Sequence, residues 1–248
     1  MTAISRRDAL RTGAAALGLP MLQSTGDGED PKKLRVVVVG AHPDDPESGC
    51  GGTAARYSNL GHTVILLYLT RGEAGIAGTA PKKAAEIRTL EAEMACKILG
   101  AQPRFAGQID GATEVTSRRY EEFRKILAGE QPDLVFAHWP IDSHRDHRAA
   151  SLLVFDAWLA LERSFQLYYF EVLTGAQTSS FSPTHYVDIG PTESLKREAC
   201  HAHRSQNPDE FYADHAAMNH FRGMEYGCRY AEAFVRHGQN RPATGAPV

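Results

Sequence analysis

The chain has 248 residues, a formal net charge of -3, 42% hydrophobic residues and 23% charged ones. That is enough apolar material for one large buried core, and too little positive charge for a protein that binds nucleic acid by bulk phosphate neutralisation. The four cysteines, Cys50, Cys96, Cys200 and Cys228, form no C-x-x-C pair, so a thiolate zinc site is not indicated.

Residues 1–33 read differently from the rest. Ser5-Arg6-Arg7-Asp8-Ala9-Leu10-Arg11 is similar to a twin-arginine export signal, and the small apolar stretch at 12–22 is too short to span a membrane. Export to an extracytoplasmic compartment is the expectation, with a cytoplasmic leader as the alternative. A polar linker follows to residue 33, and 238–248 reads as a flexible tail.

From residue 34 the pattern alternates. The β-branched run at 34–39 predicts a strand buried on both faces, and 49–60 a small-residue helix stopped by Gly61. A second buried strand is expected at 63–69. In the helix at 83–99, Ile87, Leu90, Met94 and Ile98 recur at three- and four-residue steps and predict the inward stripe. A helix at 117–128 turns Tyr120, Phe123 and Leu127 inward. A strand at 133–137, a helix at about 146–162, strands at 168–173 and 185–189 and a helix at 194–204 complete the series. Strands alternating with helices imply right-handed crossovers and a mostly parallel sheet, an α/β Rossmann-like three-layer fold over 34–237. In such sheets ligands bind beyond the carboxyl ends of the strands. Gly49-x-Gly51-Gly52 lacks the spacing of a dinucleotide-binding turn.

Two of the strand-end loops carry the chemistry. The first reads Ala41-His42-Pro43-Asp44-Asp45-Pro46-Glu47, one imidazole and three carboxylates in six residues. Burying so many acids together is costly unless a cation compensates, and His and Asp are suitable zinc ligands. The second runs from His138 to His147. There His147 begins a helix whose stripe continues through Ala150, Val154, Ala157 and Leu161, which puts it on the core-facing side near the sheet's carboxyl edge. His144 stands one turn earlier.

Ala41-His42-Pro43-Asp44-Asp45-x-Glu47, together with His144-x-Asp146-His147, resembles the PIG-L/LmbE-like zinc N-deacetylases. The resemblance extends through Thr70-Arg71-Gly72-Glu73-Ala74-Gly75, the helix from Arg88 to Gly100, Asp110, and a late segment with Lys196, His203, Ser205, Gln206, Arg222-Gly223 and Tyr230 to Phe234. It implies His42, Asp45 and His147 as ligands of Zn2+, with another divalent ion such as Fe2+ as the alternative. It leaves Asp44 free as general base, makes a protonated His144 the oxyanion support with Asp146 orienting it, and makes Arg71 and Asp110 substrate contacts. The implied substrate is an N-acylated amino sugar or glycoconjugate. Two rival readings stand beside it. Asp142-x-His144-x-Asp146-His147 partly mimics the metal motif of metallo-β-lactamase-fold hydrolases, and an exported sugar- or metal-binding module could keep the site without turnover.

Overall fold

The computed structural model describes residues 32–241. The expected export signal therefore lies outside the described residues, as does most of the expected tail. No described helix is long and apolar enough to cross a membrane.

One sheet organises the fold. Its strands are β1 (Arg35–Gly40), β2 (Thr63–Tyr68), β3 (Gln102–Phe105), β4 (Leu134–His138), β5 (Gln166–Phe170), β6 (His185–Asp188) and β7 (Ala231–Arg236), in the order β3-β2-β1-β4-β5-β7-β6. The first five are parallel, and β7 runs antiparallel between β5 and β6. The helices are α1 (Asp45–Asn59), α2 (Pro81–Leu99), α3 (Ser117–Glu130), α4 (Arg145–Ala160), α5 (Glu193–Ala202) and α6 (Pro208–Tyr226).

The run of valines in β1 explains the layering. Val36 and Val38 face a core shared with α1, α2 and α5, while Val37 and Val39 face a second core shared with α3 and α4. A strand buried on both faces needs apolar residues at every position. This is the expected three-layer α/β architecture, and it removes the metallo-β-lactamase alternative, which would require a β-sandwich.

Close packing of α1 on the sheet accounts for its glycines. A Cβ on Gly49 would collide with the ring of Phe170, and one on Gly52 would sit 2.7 Å from Ile189. In mid-helix, the amides of Gly52 and Thr53 donate to the buried carboxylate of Glu232 at 2.9 and 2.8 Å, and Lys196 pairs with that carboxylate at 2.7 Å.

Several boundaries differ from the sequence expectation. Helix α1 begins at Asp45 rather than 49, so the double-aspartate motif runs directly into it. Strand β5 covers 166–170, and Leu173 already has a left-handed φ of 47°. Strands β3 and β7 and helix α6 have no counterpart in the predicted elements. β3 is a four-residue edge strand containing Pro103, and α6 lacks a clean apolar period.

The inward face of α2 is corrected at two of its four expected positions. Leu90 is 67% exposed and Met94 53%, whereas Ala84, Arg88, Ala92, Ala95, Cys96 and Leu99 are buried. Small side chains let α2 approach the sheet and α5 closely; Leu90 and Met94 are left outside, while Ile87 is half-buried and Ile98 packs against the rim of the core. Replacing Ala95 by Leu should therefore destabilise the fold by about 1–3 kcal/mol through overpacking, while Leu90→Ser should stay within about 0.5 kcal/mol of the parent. Chemical denaturation measures both, and the reverse order would contradict this packing.

Candidate active site

The strand order reverses between β1 and β4. Helix α1 leaves β1 on one face of the sheet and α4 leaves β4 on the other, and the carboxyl ends of such a strand pair are where open α/β sheets bind ligands. Both motif loops end there.

Asp44 is the N-cap of α1 with φ 109°. For a residue with a Cβ this costs of order 1–3 kcal/mol and persists only where surrounding groups hold it. Its N–H donates to Glu47 Oε2 at 3.2 Å, and its Oδ2 accepts from Arg88 Nη2 at 2.9 Å. The same guanidinium nitrogen donates to the carbonyl of Pro43. Burial lifts the Asp44 carboxyl above the ordinary carboxylate range; Arg88 pulls the other way, and Asp45 adds to the rise.

Asp45 lies between two imidazoles. Its Oδ2 accepts from the N–H of His42 at 2.7 Å and is 3.2 Å from His42 Nδ1, while its Oδ1 is 3.2 Å from His147 Nε2. The far nitrogen of each ring faces carboxylates. His42 Nε2 is 3.1 Å from Asp110 and 3.3 Å from Asp146, and His147 Nδ1 is 3.3 Å from Asp142. Burial alone would raise the Asp45 pKa, but the charges of His147 and His138 overcome it and hold the group well below its usual range. Burial would lower the His147 pKa, but Asp45 and Asp142 push it up to about 9. His42 rises well above its usual value in the same way, against burial, through Asp110, Asp146 and Asp45.

The donor set fits a divalent cation. Two ligands of a tetrahedral ion with bonds of about 2.0–2.2 Å sit roughly 3.3–3.6 Å apart, close to both Asp45–imidazole spacings. Backing each imidazole with a carboxylate is the usual support for a metal-binding histidine. The expected trio of His42, Asp45 and His147 spans two overlapping groups whose donor atoms lie within 4.8 Å, His42–His144–His147 and Asp45–His138–His147. A third such group, His42–Asp110–Asp146, lies on the other edge of the His42 ring.

The remaining expected residues divide. His144 caps α4, its Nδ1 accepting from the N–H of Asp146 at 3.3 Å, and its ring lies edge-on to His42 with centroids 4.7 Å apart. Asp146 thus meets His144 through its backbone. Its carboxylate instead accepts from Gly111 N–H at 2.8 Å and Thr113 Oγ1 at 2.7 Å and faces His42, so the expected orienting carboxylate serves a different imidazole. Burial and the neighbouring His42 and His147 lower the His144 pKa, which favours a neutral ring over the expected protonated one. Asp110 gives one oxygen to His42 and the other to the N–H of Ala74. Arg71 is not gathered into the cluster. Its guanidinium stacks 4.0 Å over Phe105 and donates to Thr89 Oγ1. Arg88, inside the family-like helix but given no role from the sequence, is the guanidinium that reaches Asp44.

Other participants were given no role from the sequence. His138, the last residue of β4, stacks on His147 with centroids 3.9 Å apart, and its Nε2 accepts from the N–H of Ala41 at 3.1 Å. Burial and the charge of His147 depress its pKa to about 4. Gln177, from the loop after β5, places Nε2 3.0 Å from His147 Nδ1. Cys50 is fully buried, and burial pushes its pKa well up; all four cysteines are free.

Known proteins resemble this chain in sequence and fold. The family model for PIG-L, GlcNAc-PI de-N-acetylase, matches residues 37–158. Diacetylchitobiose deacetylase of Thermococcus kodakarensis is 28% identical over 220 residues, covering 80% of this chain and 81% of that protein. The conserved protein TT1542 from Thermus thermophilus superposes with a TM-score of 0.73 at 31% identity, covering 87% of this chain and 99% of that one. GalB, a 4-carboxy-2-hydroxymuconate hydratase from Pseudomonas putida KT2440, shares the fold with a TM-score of 0.76 at 21% identity, covering 87% and 99% of the two chains. Fold alone thus does not fix the reaction. With the matched residues spanning both histidine–aspartate loops, the chain belongs to the PIG-L family.

Proposed function

We propose that the chain is a zinc-dependent N-deacetylase that hydrolyses the acetamido group of an amino sugar or a related N-acylated glycoconjugate. The observation that carries this reading is the Asp45 carboxylate, 3.2 Å from each of two carboxylate-backed imidazoles and beside a second aspartate whose pKa is raised. Support for the substrate class comes from relatives that deacetylate diacetylchitobiose and, over 84 residues at 43% identity, a 2-acetamido-2-deoxyglucopyranoside of inositol. The hydratase with this fold has no comparable support here.

When bound by His42, Asp45 and His147, zinc would supply Lewis-acid activation of water and of the amide carbonyl. The protein's own contribution begins with Asp44. Its carboxylate takes the proton from the attacking water, a task suited to a carboxylate lifted above its ordinary range. Arg88 holds that carboxylate in place and must yield part of its hydrogen bonding as the proton arrives. With its Nδ1 accepting from a backbone amide, neutral His144 carries its proton on Nε2 and donates it as a hydrogen bond to the developing oxyanion. Asp142, Asp110 and Asp146 fix the rotation of the two ligand rings and add negative charge behind them. Return of the proton from Asp44 to the departing nitrogen completes hydrolysis to acetate and a free amine.

Two predictions follow the division of labour in the double-aspartate motif and the electrostatics around it. Asp45→Ala should lose the metal, whereas Asp44→Ala should keep it and lose about 10²–10⁴-fold in turnover. Elemental analysis of bound zinc, paired with amine release from a panel of N-acetylated sugars, measures both; Asp44→Ala emptied of metal with Asp45→Ala still loaded would exchange the two roles. The second concerns pH. Below about pH 9 the metal-free His147 holds a proton that the ion must displace, and His42 holds another. Zinc affinity should therefore rise with pH towards 9, by about tenfold per unit for each proton displaced. Calorimetry in buffers of different ionisation enthalpy counts those protons, and an affinity flat from pH 6 to 8 would contradict the assignment.

A further inference from the structure

Behind the catalytic loop lies a second buried group that the mechanism does not use. Glu47 has no exposed surface. Its Oε1 accepts from the Tyr68 hydroxyl at 2.7 Å and lies 3.0 Å from His203 Nε2, while its Oε2 accepts from the N–H of Asp44 at 3.2 Å. His203 is equally enclosed, and its Nδ1 has no hydrogen-bond partner among the described residues. An unpaired nitrogen in the interior is unfavourable, and a phenylalanine would fill similar volume without it. Packing alone therefore does not call for an imidazole here. An imidazole adds the N–H directed at Glu47, and a positive charge that also acts on Asp44; of the two, a glutamine could restore only the first.

That contact leads to a single backbone position. Asp44 sits at φ 109°, a conformation that a residue with a Cβ leaves unless it is held. Glu47 holds its N–H from below, and Arg88 holds its carboxylate from the side. Without a second donor, the Glu47 carboxylate is free to rotate about its last torsion and release the Asp44 amide. Tyr68 and His203 approach the same oxygen from β2 and from the segment after α5, and together they restrict that rotation.

We infer that His203 is a positioning residue that acts through Glu47 to keep Asp44 in the strained conformation from which its carboxylate meets the reacting water. The inference rests on the reading of Asp44 as general base. It gives a role to a residue 156 positions along the chain from Glu47, beyond the stretch matched by the family model.

The test compares the full-length, zinc-loaded parent with His203→Phe, which removes the donor, and His203→Gln, whose amide can donate to Glu47 again. Zinc per chain, kcat and KM on the best-turned-over N-acetylated sugar are measured, and the crystal structures of the parent and His203→Phe are solved. His203→Phe should keep its zinc and its KM while kcat falls on the order of 10–100-fold, the cost of a slightly misplaced catalytic group. His203→Gln should recover most of that loss. In the His203→Phe crystal the Asp44 amide should have left Glu47 and φ should have left the left-handed region. An unmoved Asp44, or an unchanged kcat, would overturn the inference, as would equal losses of zinc and activity in both variants. If His203→Phe does not fold, Tyr68→Phe removes the other donor to the same oxygen and should lower kcat in the same way; an unchanged kcat there would count against the inference. A parent inactive on every sugar would defeat the deacetylase reading by itself, and the position of Asp44 in the crystals would still decide this one.

Discussion

The site is organised around a carboxylate shared between two buried imidazoles. Asp45 cannot be moved away from His42, because its Oδ2 also accepts the His42 backbone N–H, and it cannot be moved away from His147 without stranding a charge in the interior. Each imidazole is in turn fixed by an outer carboxylate, supplied by the loops after β3 and β4 and by the start of α4. The alternation of anion, imidazole and anion leaves an excess of negative charge in a place with little access to water. A divalent cation would offset that excess, and without one protons on the histidines do so in part.

This arrangement depends on the sheet. Only the reversal of strand order at β1 and β4 brings the two loops together while sending their helices to opposite faces. The glycines of α1 permit its close approach to Phe170 and Ile189, and the Lys196–Glu232 pair ties the middle of α1 to β7. The strained Asp44 sits at the point where strand gives way to helix, and Glu47 and Arg88, from two different helices, bond to it there.

What was legible in the sequence was local. The valine run of β1 and the density of His and Asp at two strand ends were sufficient to find the sheet and the edge at which the fold gathers His42, Asp44, Asp45 and His147. What was not legible depends on contacts across a hundred residues or more. His138 reads only as the first residue of the second loop, and Asp142 only as part of a rival metal motif, until the fold puts them beside His147. Arg71 and Arg88 are equivalent as isolated arginines, and only the placement of Phe105 and Asp44 assigns one to a stacking contact and the other to the site. In α2 Leu90 and Met94 mark the wrong face, since alanines packed near the sheet carry little hydrophobic signal. The short edge strand β3 and the antiparallel β7 escaped because neither shows the continuous apolar run of a central parallel strand.

Zinc-edge anomalous diffraction from crystals of the zinc-loaded protein tests the central claim most directly. One peak should lie within about 2.0–2.2 Å of His42 Nδ1, an Asp45 oxygen and His147 Nε2. A peak on the opposite edge of the His42 ring, between Nε2, Asp110 and Asp146, would contradict the account, because it would make the supporting carboxylates the ligands and leave Asp45 without its ion.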